Sequence, residues 1–157
     1  MCEGASGWNG RPKKGGLQSI GRTKGGNNTK LHVVSADDQT VVGWALSAGN
    51  AHDAPEGRKL LKRMGKVERM PLLMDKAYED NETRAVAAEQ GYIPVVPPKS
   101  NRIVQWEYDR ELYKKRNVIE RLFRRIKGFR RIFTRYDKLD LMFMAYLMFA
   151  LIYIYST

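Results

Sequence analysis

Residues 70–96 read MPLLMDKAYEDNETRAVAAEQGYIPVV, and their pattern decides the fold class. Met70-Pro-Leu-Leu-Met-Asp75 is a short apolar run that stops at an acid, which suits a buried strand. Residues 81–90 read as a helix, with Gly91 placed at its C-terminal end. Tyr92-Ile-Pro-Val-Val96 is a second short strand, closed by Pro97-Pro98. Strand, helix, strand is the succession of a sheet with helices packed on it.

Upstream, Lys30-Leu-His-Val-Val-Ser35 and Thr40-Val-Val-Gly-Trp-Ala-Leu46 read as a strand pair around the turn residues Asp37 and Asp38. A helix over residues 54–64 follows. Asp53 is its expected cap, Pro55 lies in its first turn, and Glu56 stands at the capping-box position. Downstream, residues 99–106 are a basic connection. Residues 107–131 keep helical periodicity without Gly or Pro until Gly128, and residues 140–155 form a second, almost wholly apolar helix. The whole order predicts an α/β or α+β domain built on a mixed sheet.

The chain has 157 residues and a formal charge of +11, so its partner is sought among anions. The charge is concentrated at two places. Residues 1–30 carry 6 basic and 1 acidic residue, and residues 99–138 carry 14 basic and 5 acidic. The near-neutral middle lies between them. Such zones neutralise phosphates and release counterions, although a solvated helix face has the same composition. Residues 1–30 are rich in Gly, Lys and Arg and read as a flexible basic arm, followed by a domain over residues 31–157. The single cysteine, Cys2, excludes a disulfide framework and a cysteine-built zinc site. The apolar run 141–155 is shorter than the ~20 residues of a spanning helix and reads as a packed helix, so no membrane partner is expected.

At 100° per residue, Tyr113, Arg116, Glu120 and Lys127 share an arc of roughly 60° on the long helix. Val118, Leu122, Ile126 and Phe129 fall on the opposite side. One carboxylate thus stands among basic groups on the polar face. Asp75 ends a strand, where open α/β sheets place reactive groups. Brought together, Asp75 and Glu120 suit Mg²⁺, which takes one or two carboxylates plus water and phosphate oxygens. Two readings stand at this point: a surface ion pair with a turn-capping Asp75, or a metal-dependent phosphoryl-transfer site. His32, in a strand, and His52, before a helix cap, lack partners at metal-ligand spacing, and His52 reads as structural through the cap. Trp106 reads as packing, with base stacking as the alternative.

Tyr113-x-x-Arg116-x-x-x-Glu120, with Lys127 seven residues on, resembles the Y-(2)-R-(3)-E-(6)-K signature of bacterial insertion-sequence transposases of the DDE class. Leu73-Met-Asp75-Lys-Ala-Tyr78 is similar to the segment carrying their second catalytic aspartate. The stretches around Gly21–Gly26, Thr29–His32, Gly49–Asp53 and Phe133–Lys138 resemble others of the IS-five-like group. The resemblance implies an RNase H-like mixed sheet with flanking helices and a Mg²⁺ or Mn²⁺ cofactor. It implies cleavage of transposon-end DNA and its joining to target DNA, in the bacterial cytoplasm on nucleoid DNA. By it, Asp75 and Glu120 are the second and third catalytic, metal-holding acids. Tyr113, Arg116 and Lys127 would contact DNA or support the acids, and Lys114, Lys115, Arg121, Arg124, Arg125, Arg130 and Arg131 would hold the DNA backbone.

The family's first aspartate ends a strand upstream of the Gly-rich stretch, and no Asp occurs in residues 1–30. The expectation is therefore a partial catalytic domain without its first strand, completed by an upstream reading-frame product or a second transposase copy. The alternative is a catalytically inactive DNA-binding remnant.

Overall fold

The computed structural model describes residues 18–157. The chain is mixed α/β, in the order β1 (Gly21–Thr23), β2 (Gly26–Ser35), β3 (Val41–Ala48), α1 (Asp53–Met64), β4 (Met70–Leu73), α2 (Asn81–Glu89), β5 (Tyr92–Val95), α3 (Arg110–Lys114), α4 (Asn117–Lys127), α5 (Arg130–Phe133) and α6 (Asp140–Tyr155). A 3₁₀ turn, Lys76–Tyr78, follows β4.

The strands form two separate sheets where one mixed sheet is expected, because no pairing among the described residues joins β1, β2 or β3 to β4 or β5. β1, β2 and β3 make an antiparallel three-stranded sheet, with Leu31 opposite Leu46 and Val33 opposite Trp44. β4 and β5 make a parallel pair, with Leu72 opposite Pro94. The parallel crossover runs through α2, as residues 70–96 predict. Asp80 caps α2 by accepting from the Thr83 N–H at 2.9 Å. Gly91 closes it at φ 85°, and a Cβ there would lie 1.8 Å from the Val67 carbonyl oxygen. Only glycine fits that turn.

Each sheet has its own helical cover. Leu31, Val33, Trp44 and Leu46 pack on a core of Leu122, Ile126, Ile132, Phe143, Leu147, Ala150 and Ile154 from α4, α5 and α6. Against the β4–β5 pair, Leu61 of α1 packs with Val86, Ala87, Tyr92, Val67 and Leu72.

Four further expectations are corrected. The arm expected over residues 1–30 is, from Gly21 on, a β-hairpin: Thr23 pairs with Gly26 and Gly21 with Asn28. Residues 1–17 of that arm lie outside the described residues. Asp53 does not cap α1; His52 holds the cap position, and Asp53 accepts from Lys30 Nζ at 2.8 Å instead. The single helix over residues 107–131 is three. Asp109 caps α3, and i→i−3 bonds such as Arg116 N–H to Tyr113 O replace the helical ladder at Lys115 and Arg116. Finally, α6 is apolar all round but buried on one side only. Phe143, Leu147, Ala150 and Ile154 are covered, whereas Leu141, Phe149 and Ile152 are exposed. No helix among the described residues is long and apolar enough to cross a membrane.

Candidate active site

β4 delivers Asp75 one residue beyond buried Met74, whose N–H donates to Val95 O at 3.0 Å and extends the parallel ladder. Asp75 starts the 3₁₀ turn: its Oδ1 accepts from the Ala77 N–H at 3.1 Å. α4 delivers Glu120 from the face opposite buried Leu122 and Ile126. The two acids meet at Arg116. Its Nη1 lies 3.2 Å from Asp75 Oδ2 and its Nη2 2.7 Å from Glu120 Oε1. Both carboxylates are about half exposed, at 54% and 52%, while the guanidinium is 25% exposed. The strand-end acid and the helix acid are therefore adjacent in space and open to solvent.

Tyr113 flanks the group. Arg116 lies 5.7 Å from its ring centroid, and Tyr108 packs edge-on at 5.6 Å. Burial raises the Tyr113 hydroxyl above its ordinary pKa, partly opposed by Arg116, so it stays a neutral donor. Behind Asp75, Tyr78 OH and His32 Nδ1 are 2.7 Å apart, and His32 Nε2 reaches Ser47 Oγ at 2.8 Å. His32 is therefore a buried core histidine with both ring nitrogens bonded.

The basic residues divide into two groups. Arg121 pairs with Asp38 at 2.9 Å, Lys114 with Glu111 at 2.7 Å, and Arg131 with Asp137 at 3.4 Å. Lys115, Arg124, Arg125, Lys127 and Arg130 are exposed and make no ion pair among the described residues. Asp37 accepts from Gln39 and Thr40 in the β2–β3 turn, which fits its reading as turn chemistry. The Trp106 ring is engaged: Arg84 and Arg102 lie over it at 3.8 and 4.8 Å, and Nε1 donates to Val96 O at 2.9 Å. That favours packing over base stacking.

The sequence reading missed what braces this wall. Buried Glu79 accepts from Arg102 Nε at 2.6 Å and pairs with Lys99 at 3.3 Å. Burial would raise its carboxyl, but these two cations hold it below the ordinary glutamate range. The clamp ties residues 99–106 to the start of α2, and its signal was only an acid–acid pair, Glu79-Asp80, after Tyr78.

As a donor set, two half-exposed carboxylates suit a hard divalent cation that completes its shell with water and phosphate oxygens. Among the described residues no group of three or more His, Cys, Asp or Glu side chains converges. No curated protein and no solved structure matches the chain. A family model does. The model described as the transposase DDE domain matches residues 5–155, nearly the whole sequence, and the chain belongs to that family.

Proposed function

We propose that this chain is the catalytic part of an RNase H-like transposase of the IS-five-like group, one that cuts DNA at transposon ends and joins the freed 3′-hydroxyls to target DNA. The observation that carries the reading is the meeting of Asp75 and Glu120 on one guanidinium, beside a helix face bearing unpaired cations. Asp75 and Glu120 would hold Mg²⁺ or Mn²⁺, which when bound would supply activation of a water or hydroxyl and stabilisation of the leaving oxygen in an in-line displacement. Arg116 occupies the place of positive charge between the acids, and its planar fork turns to a phosphate when DNA enters. Lys115, Arg124, Arg125, Lys127 and Arg130 bind DNA backbone without reading sequence. The substrate is bacterial chromosomal DNA, reached in the cytoplasm.

Two carboxylates suffice to hold such an ion, and the resemblance supplies a third acid from an upstream segment. The chain as it stands binds DNA, and it cuts once it is extended upstream to include that acid. The test is Mn²⁺-dependent nicking of DNA carrying the element's own ends, with the 157-residue chain and the extended chain compared. Cutting by the extended chain alone supports the reading. Binding without cutting by either chain supports the second reading, a DNA-binding remnant, which the two-acid site favours. Neither binding nor cutting overturns both.

A further inference from the structure

We propose that the β1–β2 hairpin is a sequence-reading ribbon that enters the DNA major groove, where Arg22 and Asn27 address base edges of the transposon end. The inference rests on the functional reading above and deepens it. The unpaired cations of α4 hold backbone, which is the same in every duplex, so discrimination between DNAs needs another element.

Strand pairing defines the ribbon. β2 faces β3 only from Thr29, opposite Ala48, to Ser35. Its first three residues, Gly26 to Asn28, pair with β1 alone. Residues 21–28 therefore project past the end of β3 as a two-stranded hairpin. The base of that hairpin is fixed. Gly49 N–H donates to Asn28 O at 3.0 Å. Thr29 Oγ1 donates to Ser19 O and accepts from Arg135 Nη1 at 2.6 Å. Ser19 N–H donates to Asp140 Oδ2 at 2.8 Å, and Asp140 pairs with Arg135. The segment between α5 and α6 thus holds the ribbon in place, and little ordering is left to cost affinity on binding.

The tip is thin, cationic and unengaged. Residues 18–36 contain no Asp or Glu. Arg22, Lys24 and Asn27 are exposed and make no side-chain bond among the described residues. Gly26 holds φ 102°, a conformation that favours glycine. Gly25 is different. Its backbone is ordinary, and a Cβ there would meet only Thr23 Oγ1, at 3.9 Å. The fold leaves room for a side chain at residue 25, so the bare backbone there suits close approach to a ligand.

Arg22 lies opposite Asn27 in the ladder. Opposed residues share one face of a ribbon, with Cβ atoms about 5 Å apart. Base pairs step by ~3.4 Å, so the two side chains address one base pair or two neighbours. Their types match the major-groove code: a guanidinium reads guanine O6 and N7, and a carboxamide reads adenine N6 and N7. That groove, ~12 Å wide, admits a two-stranded ribbon. Lys24, in the turn, supplies a point charge for a flanking phosphate.

The ribbon also stands near the acids. His32 Nδ1 and Tyr78 OH are 2.7 Å apart, and Tyr78 belongs to the turn that Asp75 starts. Asn27 is five residues from His32 along β2, roughly 17 Å at ~3.3 Å per residue. That is about five base-pair steps, so the bases read lie within about one helical turn of the cut.

The test is fluorescence anisotropy with the full 157-residue chain. Two duplexes are compared, one carrying the element's own end and one with the same bases shuffled. The wild-type chain prefers the end. Arg22→Ala and Asn27→Ala each weaken binding to it about five- to hundredfold, and binding to shuffled DNA by at most about threefold. Gly25→Trp puts bulk into open space at the tip, so the thermal melt is kept and the preference is lost. Single 7-deazapurines, which lack the N7 acceptor, weaken the wild-type chain at one or two positions within a turn of the cut. Arg22→Ala or Asn27→Ala is insensitive to the same replacement. A preference that survives both alanine variants would overturn the proposal and leave the functional reading standing, as would a wild-type chain that binds both duplexes equally. Indifference to every 7-deazapurine would remove the ribbon from the major groove and overturn it too. A chain that binds neither duplex would strike the functional reading itself.

Discussion

Asp75 and Glu120 bind the two terminal nitrogens of the same guanidinium, at 3.2 Å and 2.7 Å. One comes from just beyond the end of β4 and the other from the first turn of α4, so tertiary packing alone makes them neighbours. One guanidinium offsets one of the two carboxylate charges and leaves the pair net negative. The arrangement is a competition between an internal and an external cation for one pair of acids.

The competition sets the outcome of Arg116→Ala. Each half-exposed ion pair contributes about 0.2–1 kcal/mol. Losing both should tighten Mn²⁺ binding about two- to thirtyfold, read by titration calorimetry without DNA. DNA affinity should fall in the same variant. Mn²⁺ affinity that stays flat or weakens would mean that the acids hold Arg116 for structural reasons alone.

Glu120→Gln keeps the size and helical fit of the side chain and removes its charge. In the upstream-extended chain, Mn²⁺-dependent cleavage should drop below detection while DNA binding is retained. Binding lost in step with cleavage would place Glu120 in the scaffold.

His32 gives the fold a pH dependence with a defined sign. Burial lowers its pKa from about 6.5; Asp53 and Glu56 pull it back up, and Lys30 opposes them. The folded state thus prefers the neutral ring, held between Tyr78 OH and Ser47 Oγ. Its contribution is complete above pH 6.5 and is lost progressively as pH falls below it, because the unfolded chain then binds the extra proton. The urea midpoint should decline between pH 6.5 and 5. His32→Gln should be less stable at pH 7.5 and lose that part of the slope. An unaltered slope would assign it to other groups.

Local pattern made β4, α2, β5 and the β2–β3 pair legible, because apolar runs bounded by Gly91, Pro97 and the Asp37 turn fix short elements one at a time. It failed where local signals conflicted with chain geometry. Lys115 and Arg116 are good helix formers, and nothing in their side chains announces the i→i−3 bonds that separate α3 from α4. The β1–β2 hairpin lies in a Gly-rich stretch with few apolar residues, so it gives no period-2 signal. The acid pair is a further case. Asp75 and Glu120 were nameable one by one, from a strand end, a helix arc and a family resemblance, but their shared Arg116 is a tertiary fact.

The two faces of α6 make a direct contrast in stability. Leu147 is fully buried against α4 and the β2–β3 sheet, whereas Phe149 is 72% exposed. Leu147→Ala should cost about 2–5 kcal/mol. Phe149→Ser should change stability by less than about 0.5 kcal/mol. Urea melts of the two variants check this. A large loss from Phe149→Ser would show that the exposed face is covered in solution.

The basic face of α4 makes a quantitative claim through Lys127. It lies seven residues beyond Glu120, about 10 Å along the helix, and it is exposed without an ion-pair partner among the described residues. Arg121, on the same helix, is instead held by Asp38. If Lys127 neutralises one phosphate, Lys127→Ala should reduce the slope of log K against log salt concentration by about 0.9. The loss should be equal on transposon-end and unrelated DNA, since phosphate contacts carry no sequence information. Asp38→Asn should do the reverse, releasing Arg121 to the DNA and steepening the slope. Fluorescence anisotropy across a salt series measures both. An unchanged slope in Lys127→Ala would remove this residue from the DNA path, and an unchanged slope in Asp38→Asn would place Arg121 outside it.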